Sequence, residues 1–133
     1  MPAARPGWRL ATAGGVTVAG RCDVARGMLR RGIGLMFRRD LPAGAALWIE
    51  PCSSIHMFFM RFPLDVAFLD RDGVVVRIYP GIRPWRATRL VRRARIAVEL
   101  PAGALAAAGI STGDVLHLDE QASTTPAEAS ATA

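Results

Sequence analysis

The stretch Asp65–Tyr79, with the sequence DVAFLDRDGVVVRIY, predicts the element around which the fold is built. Two apolar runs flank Asp70–Gly73, and the tetrapeptide DRDG is typical of a tight turn because glycine adopts positive φ without steric cost. We therefore predict a β-hairpin whose strands are Asp65–Leu69 and Val74–Tyr79.

Further short strands are predicted on both sides of this hairpin. The pair Gly14–Gly15 lies inside Trp8–Val18 and indicates a turn with one short strand before it and one after it. Four more apolar runs are short, are bounded by glycine, proline or polar residues, and predict strands. These runs are Ala45–Glu50, Ile55–Met60, Arg95–Leu100 and Val115–Leu118.

Helices are predicted at only two places. Val24–Arg31 has apolar residues near helical spacing, with Asp23 as its expected N-cap. Ala104–Ala108 is rich in alanine and is ended by Gly109. Many short strands with one or two short helices predict a mainly β (small α+β) protein, folded as a compact barrel-like or rolled antiparallel sheet.

The length of the chain predicts one domain, because 133 residues, 51% of them hydrophobic, suffice for one packed core and not for two. We expect this domain to span residues 8–120, between a frayed N-terminus (1–7) and a disordered tail (121–133) that lacks large hydrophobic residues. The longest apolar run, Gly44–Ile49, is far shorter than the roughly 20 residues of a transmembrane helix. A cytoplasmic protein is therefore predicted.

Five short motifs occur in a fixed order and carry a family resemblance. They are Gly34–Arg38 (GLMFR), Phe59–Asp65 (FMRFPLD), Phe68–Val75 (FLDRDGVV), Glu99–Gly103 (ELPAG) and Gly113–Asp114. In this order they resemble domain-of-unknown-function family 192, also called uncharacterised protein family 0127, over roughly residues 24–118. The resemblance implies a small, mainly β domain of bacteria and archaea without an established activity, so it supplies no catalytic residue. Many members carry Trp and Lys where this chain has Phe59 and Arg61.

The corner formed by the second motif is the favoured binding site. A strand, a proline corner and a second strand would bring Arg61 close to Asp65. Either the two side chains form a structural ion pair, or Arg61 binds a carboxylate or phosphate, Asp65 orients it and Arg38 supplies a second cation. We expect a non-catalytic module that binds a small anionic ligand or peptide carboxylate through Arg38, Met60, Arg61 and Asp65. An enzyme of unknown reaction at the same corner is an alternative.

A second candidate surface is strongly basic. The chain has 17 basic residues, all of them arginine, against 11 acidic residues, and its formal net charge is +6. Six arginines and no acidic residue fall within Arg83–Arg95. Arginines interleaved with an aromatic residue are typical of surfaces that bind nucleic acid or another polyanion, such as an acidic protein or an anionic membrane. The alternative is a solvated loop with its tryptophan packed on the core. The candidate residues are Arg83, Trp85, Arg86, Arg89 and Arg92.

Soft metal ligands occur together but at unfavourable spacing. Cys52, His56, Met57 and Met60, with Met36, offer the thiolate, imidazole and thioether groups that Cu(I) prefers. On one strand Met57 faces away from His56 and Met60, so Cys52, His56 and Met60 are only weak metal candidates. As a nucleophile and base, Cys52 and His56 would lie roughly 13 Å apart on an extended strand. No phosphate loop or metal-binding spacing is present, and no cofactor is predicted.

The remaining polar signals are predicted to be structural. Cys22 and Cys52 make a poor disulfide framework and are expected to be buried or half-buried thiols in a reducing compartment. Glu99 and the turn Gly113–Asp114 belong to a closing unit of strand, turn, short helix, turn and strand. Asp114 is expected to accept hydrogen bonds from backbone N–H groups of its turn.

Overall fold

The protein is described by a computed structural model that covers residues 7–26, 40–57 and 60–120. Within these ranges the chain forms seven strands and one short helix, as the mainly β class predicts. The elements are β1 (Trp8–Thr12), β2 (Thr17–Arg26), β3 (Ala45–Glu50), β4 (Leu64–Leu69), β5 (Val75–Ile82), β6 (Ile96–Pro101), α1 (Ala104–Ala107) and β7 (Leu116–Glu120). Residues 1–6 of the predicted frayed N-terminus (1–7) and the predicted tail 121–133 lie outside the described residues. No helix in the described ranges is long and apolar enough to cross a membrane.

All seven strands belong to one sheet, in the order β5-β4-β6-β3-β2-β1-β7. Neighbouring strands are antiparallel except β2 and β3, which are parallel and pair Arg21 with Ala45 through Arg26 with Glu50. The antiparallel prediction is therefore correct for every strand pair but this one. A parallel pair needs a crossover of a dozen or more residues, and residues 27–44 supply that length.

The sheet is rolled, because its two outer strands approach each other at one corner. The N–H of Val75 donates to the carbonyl of Asp114 over 2.8 Å, and the N–H of Gly113 donates back to Val75 over 2.8 Å. The N–H of Leu116 donates to the carbonyl of Gly73 over 2.9 Å. These bonds join the start of β5 to the start of β7 without closing the sheet along its length, which confirms the barrel-like prediction.

Buried side chains form two clusters, one on each face of the sheet. The first lies inside the roll and takes side chains from all seven strands and from α1, including Trp48, Val98 and Leu105. The second lies on the other face and includes Met57 and Met60. The central strands β4 and β6 are buried on both faces, which explains their almost unbroken apolar sequences.

The hairpin predicted from the opening stretch is confirmed. Strands β4 and β5 are antiparallel, with Val66 opposite Tyr79. The Oδ1 atom of Asp70 accepts hydrogen bonds from the N–H groups of Asp72 (2.9 Å) and Val74 (3.0 Å). Gly73 has a φ of 84°, a conformation that glycine reaches without a side-chain clash.

Replacement of Gly73 by alanine tests the close contact between the β4–β5 turn and the start of β7, where the two outer strands of the sheet meet. A Cβ atom at this position would lie 2.5 Å from the carbonyl oxygen of Leu116, and the backbone there cannot swing away. Gly15 has a similar φ of +90° but open space around its Cβ position, so Gly15→Ala is the matched control. We expect Gly73→Ala to lower the free energy of unfolding by about 3 kcal/mol and Gly15→Ala by about 1 kcal/mol in urea denaturation. Equal losses at the two sites would contradict the close approach.

The predicted helix at Val24–Arg31 is wrong over its described part. Val24 to Arg26 form the end of β2, where Val24 pairs with Trp48 of β3, and Asp23 lies within the strand rather than at an N-cap. The ladder with β3 satisfies the backbone of this segment, and that tertiary pairing outweighs a short helical pattern. Residues 27–31 lie outside the described ranges.

The predicted strand at Ile55–Met60 is also wrong over its described part. His56 forms a single antiparallel bridge with Ala87, and the residues around it belong to no strand. Residues 58 and 59 lie outside the described ranges. The apolar character of this segment reflects packing instead, because Met57 and Met60 are buried in the second cluster.

Candidate functional site

The predicted corner contains no ion pair between Arg61 and Asp65 among the described residues, so that expectation is wrong. Asp65 is only 2% exposed in β4, and Arg61 is exposed. The Oδ1 atom of Asp65 accepts the N–H of Gly81 over 2.9 Å, and its Oδ2 atom accepts the N–H of Leu105 over 3.0 Å. Since both carboxyl oxygens are engaged, this side chain is a structural anchor rather than a group aimed at a ligand.

Asp65 caps helix α1 from a distance. The N-cap residue Gly103 has no side chain to accept hydrogen bonds, and the free N–H of Leu105 in the first turn is taken by the Asp65 carboxyl. The motif that contains Pro63–Asp65 is thereby tied to the helix that follows the motif Glu99–Gly103. Of the other predicted corner residues, Met60 is buried in the second cluster and Arg38 lies outside the described residues.

The stretch Arg83–Arg95, called the basic loop below, contains no β-strand, but its backbone is held in place by hydrogen bonds. It runs antiparallel to residues 52–57 and is joined to them by a series of backbone hydrogen bonds. They are Trp85 N–H to Met57 C=O (2.7 Å), Met57 N–H to Arg86 C=O (2.6 Å), Thr88 N–H to Ile55 C=O (2.8 Å), Val91 N–H to Ser53 C=O (2.8 Å) and Cys52 N–H to Arg95 C=O (2.8 Å). The backbone that carries the arginines of the loop is therefore fixed relative to residues 52–57.

Trp85 is largely exposed, contrary to the alternative that its side chain packs into the core. Its side chain is 60% exposed, and its φ is 69°, in the left-handed region that non-glycine residues seldom adopt. Arg93, near the other end of the loop, has a φ of 68°. Such backbone strain is concentrated at binding and switch sites, where the surrounding structure maintains it.

A groove of about 700 Å³ lies between β5 and the basic loop. Arg77 and Tyr79 line it from β5, and Thr88, Arg89 and Arg92 line it from the loop. The guanidinium of Arg77 stands 4.8 Å above the centre of the Tyr79 ring, a cation–π contact that fixes its position. No acidic residue of the described ranges lines the groove, whereas three arginines do.

The groove has the size and chemistry of a small-anion site. Small-molecule sites commonly measure about 300–1,000 Å³, and a guanidinium matches the paired oxygens of a phosphate or carboxylate. Of the loop residues predicted to bind anions, Arg89 and Arg92 line the groove, whereas Arg83, Trp85 and Arg86 lie outside its lining. Sequence analysis missed Arg77 and Tyr79, although residues two apart on a predicted strand share one face.

Glu99 is a second buried carboxyl that the sequence analysis treated only as architecture. Its side chain is 6% exposed on β6, opposite Leu47 of β3 and Val66 of β4, which both belong to the second cluster. The Oε2 atom has no hydrogen-bond partner among the described residues. Burial in these apolar surroundings raises the pKa of Glu99 from 4.5 to about 7. The sequence contained a sign of this buried carboxyl, because Glu99 interrupts the otherwise apolar strand sequence IAVEL.

The soft-ligand residues serve other roles where the structure describes them. Cys22 is buried, and burial, reinforced by the charge of Asp23, raises the pKa of its thiol to about 12, which keeps it protonated and unreactive. Cys52 is half-buried and directs its thiol to the carbonyl of Ser54 over 3.1 Å. Cys22 and Cys52 are not joined by a disulfide bond. The described residues contain no group of three His, Cys, Asp or Glu side chains placed to hold a metal ion.

The rolled seven-stranded fold defines a class of small β proteins, and comparison with known proteins identifies the family. The DUF192 family model, described as an uncharacterised ACR, matches residues 9–118. The chain belongs to this family. It is similar to a UPF0127 protein of Pyrococcus abyssi, at 32% identity over 100 residues that cover 71% of this chain and 83% of the relative. A UPF0127 protein of Pyrococcus horikoshii is 37% identical over 89 residues, covering 63% of this chain and 75% of the relative.

Two solved structures share the fold. A protein of unknown function from Novosphingobium aromaticivorans superposes with a TM-score of 0.73 at 22% identity, covering 88% of this chain and 89% of that one. A structure from Sinorhizobium meliloti described as a putative transcription regulator has a TM-score of 0.67 at 27% identity, covering 86% of this chain and 94% of that one. The family is one of uncharacterised function, so a functional proposal depends on the site.

Proposed function

We propose that the protein is a binding module for a small anionic ligand and that the ligand occupies the groove lined by Arg77, Arg89 and Arg92. The observation that carries this proposal is that three arginines and no acidic residue of the described ranges line one groove of about 700 Å³. The class of ligand is the one expected from the sequence, but the site is moved from the Arg61–Asp65 corner to the groove.

Preorganisation supports binding at this groove. Arg77 is held over the Tyr79 ring, and Tyr79 in turn meets the ring of Phe68 edge-on at 5.9 Å. The loop side is held by Thr88, whose hydroxyl oxygen accepts the N–H of Ile55 over 3.0 Å. A cation that is already positioned loses less conformational entropy when it binds, so the ligand gains affinity.

Titration of the full chain with pyrophosphate, followed by calorimetry at low salt, tests the groove. We expect saturable binding that weakens about tenfold for each of Arg77→Ala, Arg89→Ala and Arg92→Ala. Arg77→Lys keeps the charge but loses the two-pronged geometry, and it is expected to retain part of the affinity. Arg71→Ala, which removes an exposed arginine from the β4–β5 turn, is the matched control and is expected to bind like the wild type.

Two results would contradict the groove as the binding site. One is the absence of saturable binding by pyrophosphate and by a dicarboxylate such as succinate. The other is a loss of affinity in Arg71→Ala equal to the loss in the groove variants, since that would show a general effect of net charge.

A further inference from the structure

The basic loop also carries two exposed apolar side chains: Trp85, which lies outside the lining of the anion groove, and Leu90, which is part of that lining. Large hydrophobic side chains that are exposed within the described residues are Val16 (58%), Trp85 (60%) and Leu90 (72%). Two of these three lie within the same loop as six arginines. A solvated loop needs arginine but gains nothing from an exposed tryptophan and leucine, because apolar surface in water is unfavourable.

We propose that the basic loop docks on an anionic membrane surface, with Trp85 and Leu90 entering the interface and the arginines contacting lipid phosphates. The charge of the loop is complementary to such a surface, since Arg83–Arg95 contains no acidic residue. Tryptophan favours the headgroup level of a bilayer, and leucine favours the apolar layer beneath it. This proposal goes beyond the soluble ligand of the groove.

The geometry of the loop suits docking rather than insertion of a helix. The backbone bonds to residues 52–57 hold the loop on the second face of the sheet, so its side chains can meet a flat surface without folding first. The left-handed conformation of Trp85 accompanies the exposure of its indole ring. Arg83 and Arg86 are exposed outside the groove lining, which leaves them available to lipid phosphates when the groove is occupied.

Nucleic acid is the competing partner for a loop of arginines and an aromatic side chain. An exposed tryptophan would stack on a base, but the 72% exposed Leu90 has no comparable role there. A membrane surface uses both apolar side chains together with Arg83 and Arg86, which are exposed outside the groove lining. The observations therefore favour the lipid surface.

Vesicle co-sedimentation of the full chain tests the proposal. We expect binding to vesicles of phosphatidylcholine mixed with phosphatidylglycerol and little binding to phosphatidylcholine alone. Trp48 is buried and Trp8 is half-buried, so we expect a blue shift of tryptophan emission on binding to come from Trp85. Each of Arg83→Ala and Arg86→Ala is expected to weaken vesicle binding about fivefold.

The apolar contribution is tested with the double variant Trp85→Ala/Leu90→Ser. It is expected to weaken vesicle binding at least tenfold and to abolish the blue shift, whereas Val16→Ser, an equally exposed site on the β1–β2 turn, is expected to leave both unchanged. Because Leu90 also lines the groove, the single variant Trp85→Ala separates the two sites: it is expected to weaken vesicle binding and to leave the affinity for pyrophosphate unchanged, so failure of either proposal is distinguishable from failure of the other.

Three results would overturn membrane docking. The first is equal binding to the two kinds of vesicle, and the second is an unaltered affinity of the double variant. The third is quenching of Trp85 emission by a single-stranded oligonucleotide without binding to anionic vesicles, which would assign the loop to nucleic acid.

Discussion

Replacement of Asp65 by alanine is expected to lower the free energy of unfolding by about 4 kcal/mol, enough to unfold much of a domain of ordinary stability. The carboxyl oxygens of Asp65 accept the N–H groups of Gly81 and Leu105 at 2.9 and 3.0 Å in a site that is 2% exposed. Alanine would leave both donors without a partner, and each buried unsatisfied donor costs about 1–3 kcal/mol. The end of β5 and the start of α1 would both lose their tie to β4.

A graded series separates this anchor from a general effect of charge. Asp65→Asn keeps one oxygen acceptor and is expected to cost about half as much as Asp65→Ala. Asp72→Ala, which removes an exposed carboxylate from the adjacent turn, is expected to change stability by less than about 0.5 kcal/mol. Urea denaturation measures the losses, and hydrogen exchange should show the amides of Gly81 and Leu105 as the first to lose protection. A loss for Asp65→Ala no larger than that for Asp72→Ala would contradict the anchoring role.

Elements defined by local chemistry were predictable from the sequence. The β4–β5 hairpin depends on the Asp70–Gly73 turn, which is closed by hydrogen bonds among residues 70–74, and the local sequence pattern contains that information. The C-terminal end of β2 was predicted as a helix, because its partner β3 begins about 20 residues later and the pairing is parallel. Pairing between distant segments leaves little trace in a local pattern.

The candidate site was predictable where it consists of one charged run. The basic loop is visible as six arginines in thirteen residues, but Arg77 joins it only because β5 folds alongside. Asp65 was assigned the wrong partner for a similar reason. Its true partners are backbone N–H groups that lie 16 and 40 residues away, and every non-proline residue carries such a group. Side-chain identity therefore could not indicate them.

The buried Glu99 is expected to make the stability of the domain depend on pH near neutrality. Its pKa is about 7 in the folded chain because of burial, against an ordinary value of 4.5 that we take for the unfolded chain. The folded state therefore holds this proton more tightly, and stability falls as pH rises from about 4.5 through about 7. The difference in pKa corresponds to about 3 kcal/mol of stability, present in full below pH 4.5 and lost above pH 7.

The substitution Glu99→Gln removes this dependence while preserving the shape of the side chain. At pH 8 the wild type must bury a charge or take up a proton, and the variant does neither, so we expect the variant to be more stable there by about 3 kcal/mol. Below pH 4.5 the two proteins are expected to differ by less than about 1 kcal/mol, because Glu99 is then neutral in both states. Urea denaturation of both proteins from about pH 4 to pH 8 measures the difference, and the subtraction cancels every other titrating group. Glu120→Gln, at an exposed position at the end of β7, should show no such pH-dependent difference in stability from the wild type. If the difference in the free energy of unfolding between wild type and Glu99→Gln stays constant across this range, Glu99 titrates alike in the folded and unfolded chains. Its carboxyl would then be solvated rather than enclosed by the second cluster.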